Sequence, residues 1–327
     1  MAKIRWGLLS TANINRRVIP AIRESKRGKL SAVASRDINK AQAYAQKWEI
    51  PLAFGSYQDM LNSGEIDVVY ISLPNHLHSE WGIKAMESGI HVLCEKPFAI
   101  SLDQVDAMIL TSQKTGMVLT EAFMYRHHPQ TKIAGEMVKS GKIGEITLVR
   151  GAFDFIIKNR ENVRFIPEWG GGCLWDVGIY PISFAQYVMG GPPDWVSGAQ
   201  LVGDSGVDEV FVGQMCYSEH RFAQISSAFK TPFLTYIEVI GTEGRLYISM
   251  PFIGVNDSKM IFYPNQRDPV SIRFPFKSLY LGEIEDIHSA LLDNKPTFLT
   301  LEETRNHIRT VLALYESARS GEIIYMN

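Results

Sequence analysis

Residues 67–97 read DVVYISLPNHLHSEWGIKAMESGIHVLCEKP, and this stretch decides the fold. Asp67–Ser72 encloses an unbroken apolar run of strand length, the pattern of a strand covered on both faces rather than one with a wet side. Ser79–Ser88 has helical texture with Gly89 placed to cap it, and Ile90–Cys94 is a second buried strand. Two such strands joined by a helix make a parallel crossover, because a tight turn cannot connect parallel strands. The unit recurs on both sides. Upstream, the apolar run Lys3–Ser10 leads into Ala12–Ser25, where Ile14, Val18, Ile19 and Ile22 recur at helical spacing, and Leu30–Ser35 leads into Asn39–Trp48, ended by Pro51. Downstream, Asp103–Thr115 is closed by Gly116 and followed by Met117–Glu121. Regular alternation of strand and helix over residues 1–124 predicts an α/β fold with a doubly wound parallel sheet.

Beyond that point the texture changes. Tyr125-Arg126-His127-His128-Pro129 is a polar, aromatic junction where the buried-strand pattern stops, so residues 125–327 are expected to form a second domain. Pro129–Lys139 is expected to be helical. Gly144–Phe155, Met215–Phe229, Leu234–Gly241 and Arg245–Pro251 alternate β-branched or aromatic residues with polar ones, which suits antiparallel strands with one wetter face. Gly241-Thr242-Glu243-Gly244 is a turn between the last two. Leu281–Asn294 and Leu301–Ser320 return to helical spacing, with Thr300-Leu301-Glu302-Glu303 in the form of a capping box.

Composition excludes several classes of function. The 327 residues are 46% hydrophobic and 21% charged, too apolar for a disordered chain, yet no run approaches a membrane span. Thirty-three Lys and Arg against 35 Asp and Glu leave a net charge of -2 with no basic block, which argues against a nucleic-acid partner. Cys94, Cys173 and Cys216 are odd in number and widely spaced, neither a disulfide framework nor a zinc site. The start of the chain lacks a secretory apolar segment. A cytoplasmic protein is expected.

Candidate residues cluster after the strands of the first half. A βα turn at the N-terminus aims backbone N–H groups and a helix end at a pyrophosphate. At the G-x-G-x-x-G positions stand Ser10-Thr11-Ala12-Asn13-Ile14-Asn15, small where a phosphate must approach but without glycine; an ordinary α/β turn has the same look. The second strand ends in Ala34-Ser35-Arg36-Asp37. Ser35 and Arg36 suit a 2'-phosphate, which favours NADP, although NAD stays possible because Asp37 is an acidic competitor and the pair also reads as a plain helix N-cap. Ser72-Leu73-Pro74-Asn75-His76-Leu77-His78 lies at a carboxyl edge of the sheet, where ligands bind in such folds. His76 and His78 have no Cys or carboxylate at ligand spacing, so no metal is expected. The next strand ends in Glu95-Lys96-Pro97, which sets a Lys at the sheet's mouth as an acid or hydrogen-bond donor, or else as a surface Lys before a turn. In the second half, Gly170-Gly171-Gly172 precedes Asp176 and Tyr180, four apart and on one face if helical. A carboxylate beside a phenol is a proton-transfer pair; a buried, hydrogen-bonded Tyr fits the spacing equally.

Together, Glu95-Lys96-Pro97, Pro74-Asn75-x-x-His78 and the glycine-rich stretch ending in Asp176 resemble the Gfo/Idh/MocA family of NAD(P)-dependent oxidoreductases, over nearly the whole chain. Asp176-x-x-x-Tyr180 resembles the branch containing glucose-fructose oxidoreductase, dimeric dihydrodiol dehydrogenase and NADP-linked xylose dehydrogenases. The resemblance implies a Rossmann domain followed by an α/β domain with a large, mainly antiparallel sheet, through which a homodimer or higher homo-oligomer forms. It implies that Lys96 hydrogen-bonds the reacting oxygen, Tyr180 exchanges the proton, Asp176 orients a sugar-like substrate, and Glu95 sits near the nicotinamide ribose. It also implies a cis Lys96–Pro97 bond and makes Arg126 a candidate contact to nicotinamide or substrate. Lys158, Arg160, Arg164 and Trp169, in the loop Phe155–Trp169, are candidate polyol contacts. The competing class is a regulator on the same fold that senses a dinucleotide or sugar; the joint presence of Lys96, Asp176 and Tyr180 speaks for the enzyme, since a sensor needs no proton relay.

Overall fold

The computed structural model describes residues 3–218, 221–254, 258–275 and 277–326. Its first unit contains β1 (Ile4–Leu9), α1 (Asn15–Glu24), β2 (Gly28–Ala34), α2 (Ile38–Lys47), β3 (Leu52–Phe54), α3 (Tyr57–Asn62), β4 (Val68–Ile71), α4 (His78–Glu87), β5 (His91–Glu95), α5 (Leu102–Thr115) and β6 (Leu119–Ala122). The strands form one parallel sheet in the order β3-β2-β1-β4-β5-β6. That order reverses direction at β1, so the crevice at the strands' carboxyl ends opens between the β1 and β4 connections. Val68–Ile71 and Val92–Cys94 are buried throughout, which is why their sequences carry no alternation.

One expectation changes. The chain up to His127 forms this unit together with Ser278–Arg305, and His128–Lys277 with the chain from Asn306 onward forms the other. A division into 1–124 and 125–327 therefore moves by three residues and misses a return segment. The reason is packing: α8 (Leu281–Leu292) buries Ile284 and Ile287 in the core that Trp6, Leu8, Val18, Ile22, Tyr70 and Leu93 build. His288 completes that contact. Its Nε2 accepts from Trp6 Nε1–H at 2.9 Å, so Nδ1 carries the proton toward Ser25 Oγ at 3.1 Å, and burial pushes the ring's pKa down to about 4, which keeps it in this neutral form.

The second unit contains α6 (Pro129–Lys139), β7 (Ile146–Asp154), α7 (Ile179–Met189), β8 (Trp195–Val202), β9 (Asp208–Tyr217), β10 (Arg221–Ala228), β11 (Leu234–Gly241), β12 (Gly244–Ser249), β13 (Met260–Pro264), β14 (Val270–Ser271) and β15 (Ile324–Tyr325). Its sheet runs β14-β13-β12-β11-β7-β10-β9-β8-β15 and is antiparallel except at β7–β10. Within the stretch expected as Met215–Phe229, Glu219 and His220 lie outside the described residues. Helix α7 crosses β7 at Gly151, where a Cβ would stand 2.8 Å from Pro181 Cβ; glycine lets the helix approach. The last helix, α9 (Leu301–Ser320), opens with the expected capping box: Thr300 Oγ1 accepts from Glu303 N–H at 3.1 Å and Glu303 Oε2 from Thr300 N–H at 3.0 Å.

Candidate active site

In the first unit, the residues singled out for a dinucleotide lie at or just after the carboxyl ends of β1, β2, β4, β5 and β6. Ser10 follows β1 with φ 128, a conformation that L side chains rarely adopt and that glycine takes freely. Its side chain stabilises that turn. Ser10 Oγ accepts from Ala12 N–H at 3.1 Å and, because the Ser72 hydroxyl donates to Asn15 Oδ1 at 2.7 Å, donates toward Ser72 at about 3 Å. Asn15 Nδ2 closes the ring on Ser10 O at 2.8 Å. The Ser10 hydroxyl is thus committed within the loop. Beside it, among the described residues, none accepts from the N–H of Thr11, Asn13 or Ile14 at this helix start. Three such donors suit a pyrophosphate.

After β2, the plain N-cap reading of Asp37 is what the structure has: Oδ1 accepts from Asn39 N–H at 2.9 Å and Lys40 N–H at 3.3 Å. Ser35 is buried, with its Oγ taking the Asp37 N–H at 3.3 Å. Arg36 is exposed and lies beside the Tyr57 hydroxyl, whose pKa burial pushes up against the pull of that guanidinium. The cation therefore stands at the strand's end while the competing carboxylate is held by the helix.

The loops after β4 and β5 are tied together. His78, fully buried at the start of α4, places Nε2 2.8 Å from Leu73 O and Nδ1 2.9 Å from Pro97 O. Burial lowers its pKa against the pull of those two carbonyls. Ser72 is buried in the same corner, and Pro74 and Asn75 are half-buried at its rim. The Lys96–Pro97 peptide is cis, Lys96 N–H donates to Glu95 Oε2 at 3.2 Å, and the Tyr70 hydroxyl donates to Glu95 Oε1. Arg126, just beyond β6, is buried, ion-paired to Glu303 at 2.8 Å and set over the Phe298 ring.

In the second unit, Gly170–Gly172 turns into a five-residue π-helix, Leu174–Gly178, that continues as α7. Asp176 and Tyr180 fall on this continuous helical path, but through a π-turn, which an α-helical spacing argument does not contain. Asp176 is buried, and its Oδ2 pairs with Arg164 Nε at 2.5 Å. Tyr180 is 4% exposed, its ring against Phe153 at 5.5 Å and Phe252 at 5.3 Å between centroids. Of the loop cations, Arg160 pairs with Glu209 at 2.7 Å beside Lys230, which reaches the same carboxylate at 3.0 Å. Lys158 is exposed and Trp169 half-buried.

Comparison with known proteins agrees with both halves of this geometry. Residues 4–123 match the model of the oxidoreductase family with an NAD-binding Rossmann fold, and residues 131–247 match that of the GFO/IDH/MocA C-terminal domain. The chain belongs to the GFO/IDH/MocA oxidoreductase family. Among relatives of this oxidoreductase, a D-xylose 1-dehydrogenase (NADP(+)) of Haloferax volcanii is 35% identical, over 98% of this chain and 99% of its own. A dTDP-3,4-didehydro-2,6-dideoxy-alpha-D-glucose 3-reductase of Actinomadura kijaniata is 31% identical over 76% of this chain and 75% of its own. In fold, the chain is similar to an aldose-aldose oxidoreductase from Caulobacter crescentus complexed with glycerol, with a TM-score of 0.92, 23% identity and coverage of 99% and 100%. A 3-ketoreductase from Actinomadura kijaniata in complex with NADP and TDP-benzene gives 0.90 at 25% identity, with 96% and 98% covered. Among the described residues, no helix is long and apolar enough to cross a membrane and no group of three His, Cys, Asp or Glu could hold a metal ion.

The oxidoreductase has one further group at this edge that sequence reading passed over. Glu121, in β6, is 1% exposed; Oε1 accepts from Phe98 N–H and Oε2 from the Thr304 hydroxyl, both at 3.1 Å. A glutamate inside an apolar strand was the available signal. Burial pushes its pKa up to about 8, so between about 4.5 and 8 the folded state keeps a proton that the unfolded state releases. Stability contributed by this group falls as pH rises through that window and is level above it. In Glu121→Gln the amide oxygen keeps the Phe98 contact and the NH2 faces Thr304, with no charge to bury. The variant is expected to melt with the wild type at pH 5 and about 5 °C above it at pH 9. Equal melting temperatures at both values would refute the assignment.

Proposed function

We propose that this family member transfers a hydride between NADP and a carbonyl or hydroxyl carbon of a sugar or polyol-like substrate, with Lys96 and Tyr180 handling the proton. The observation that carries the cofactor preference is the division of labour after β2. Asp37 is bound to the helix N-terminus, where its charge favours the helix dipole, and Arg36 is left as the fork for a phosphate monoester. The turn after β1 offers the cofactor's phosphates the Thr11, Asn13 and Ile14 amides, and Glu95, at the end of β5, is assigned to the nicotinamide ribose. NADP supplies a hydride acceptor or donor at the nicotinamide. The chain's own part is proton and position. Lys96 donates a hydrogen bond to the substrate oxygen, Tyr180 gives or takes the proton there, and Asp176, carrying Arg164, orients neighbouring hydroxyls. Two relatives support this reading, the D-xylose 1-dehydrogenase (NADP(+)) and the dTDP-3,4-didehydro-2,6-dideoxy-alpha-D-glucose 3-reductase.

Fluorescence titration with NADPH and NADH, followed by a panel of aldoses and ketosugars, tests this reading. Arg36→Ala is expected to weaken NADPH binding by roughly 10- to 100-fold, the loss of a charge-assisted contact, and to leave NADH unchanged. Equal affinity of the wild type for both cofactors removes the NADP assignment, and binding without turnover across the panel favours the sensing alternative. We further assign a homo-oligomer to the open face of the C-terminal sheet, where Leu201 and Val212 stand 52% and 50% exposed on one side. Light scattering that gives a monomer mass at micromolar concentration overturns that assignment. The three cysteines are buried and free, in keeping with a cytoplasmic protein.

A further inference from the structure

The π-helix that carries Asp176 has no side-chain cap of its own: Cys173, at its N-cap, makes no such bond. The orphan donors are met from elsewhere. Asp208, the first residue of β9 and 3% exposed, turns its carboxylate into the glycine-rich turn. Oδ2 accepts from Leu174 N–H at 2.8 Å and from the Cys173 thiol at 3.0 Å, and Oδ1 accepts from the Tyr315 hydroxyl at 2.6 Å. Burial raises its pKa while these donors lower it. Gly172 makes room for the arrangement. A Cβ there would stand 1.9 Å from Asp208 Oδ1, and its φ of +121 is one that L side chains rarely adopt. The position therefore excludes side chains both by space and by backbone.

We propose that Asp208 is a positioning residue for the reaction: by holding the Leu174 amide and the Cys173 thiol it fixes the start of the π-turn and so the directions of Asp176 and Tyr180. This rests on the reading of Tyr180 as the proton-handling group. A π-turn adds one residue to a helical turn, so its loss rotates everything after it by roughly 100° relative to what precedes it. Tyr180 is the second residue after the turn, and Asp176 lies inside it. A buried carboxylate is an apt clamp here, because charge-assisted bonds to backbone N–H are short and directional, and the helix N-terminus stabilises the negative charge. Tyr315 anchors the carboxylate from α9, so the clamp joins a strand, a helix and the glycine turn of one unit.

The test compares Asp208→Ala, Asp208→Asn and Tyr180→Phe for kcat, NADPH affinity and amide hydrogen exchange, each measured well below its melting temperature. Asp208→Ala is expected to lose about 100-fold in kcat, the scale of a small misplacement of reacting groups, with NADPH affinity unchanged. Exchange is expected to rise in residues 172–180 and not in the sheet. Asp208→Asn can still accept from Leu174 and donate to the Tyr315 oxygen, so it is expected to restore at least tenfold of the lost kcat. A structural role alone would move stability and leave kcat per folded molecule intact. Full kcat in Asp208→Ala beside an inactive Tyr180→Phe overturns the clamp, whereas full kcat in Tyr180→Phe overturns the reading of Tyr180 and the proposal with it. If Asp208→Ala does not fold, the wild type decides: the Leu174 amide is expected to exchange with the slow core amides, and exchange at the rate of loop amides overturns the proposal.

Discussion

Lys96→Ala is expected to lower kcat by roughly 10³-fold while leaving NADPH affinity within about twofold. The expectation rests on how the backbone around Lys96 is held. Its own N–H donates to Glu95 Oε2, the next carbonyl, Pro97 O, lies against His78 Nδ1, and the Phe98 N–H is taken by Glu121. These contacts are made by the backbone and by neighbouring side chains, so they remain when Lys96 is truncated, while its charge no longer offsets those of Glu95 and Glu121. The groups assigned to the cofactor's phosphates lie elsewhere, in the turns after β1 and β2. What the variant loses is the donor assigned to the substrate oxygen, and a positioned acid or base contributes typically 10²–10⁴-fold, roughly 3–5 kcal/mol of barrier. Kinetics at saturating NADP(H), with affinity measured separately by fluorescence, separates the two effects. A variant retaining more than about a tenth of wild-type kcat would remove Lys96 from the chemistry.

The parallel sheet was legible because burial on both faces leaves a distinctive trace: Val68–Ile71 and Val92–Cys94 have no polar alternation to hide them. The three-residue strand Leu52–Phe54 and the short helix Tyr57–Asn62 left none, since neither is long enough to show a period. Periodicity also identified α8 as a helix with one apolar stripe, yet said nothing of which unit that stripe would meet. Ile284 and Ile287 joining Trp6 and Tyr70 is a matter of chain topology. The site divides in the same way. Positions after strands were readable as a cofactor edge, because in such sheets the carboxyl ends are where ligands bind. The pairings were not: Asp37 on its helix, Arg164 on Asp176 and Asp208 under the glycine turn are choices among possible partners, made by three-dimensional proximity. Nor does a four-residue interval between Asp176 and Tyr180 disclose a π-turn, since the same residues suit an α-helix.

Tyr180→Phe is expected to reduce kcat by roughly 10²–10⁴-fold with little change in stability or in NADPH affinity. The ring is packed among Phe153 and Phe252, an environment that receives phenylalanine without a change of volume beyond one oxygen, so the substitution isolates the hydroxyl. A loss confined to kcat therefore reports chemistry, and a fall in melting temperature of comparable effect would report packing. Combining the change with Lys96→Ala carries the argument further. If both groups act on the same oxygen in one step, the ammonium donor is of use chiefly while the phenol moves the proton. The double variant is then no slower than the poorer single one by more than a few fold, as for other residues that work as a unit. Fully multiplied losses would mean that Lys96 and Tyr180 serve separate steps, and the joint proton handling proposed for this oxidoreductase would fall while each residue's individual role stood.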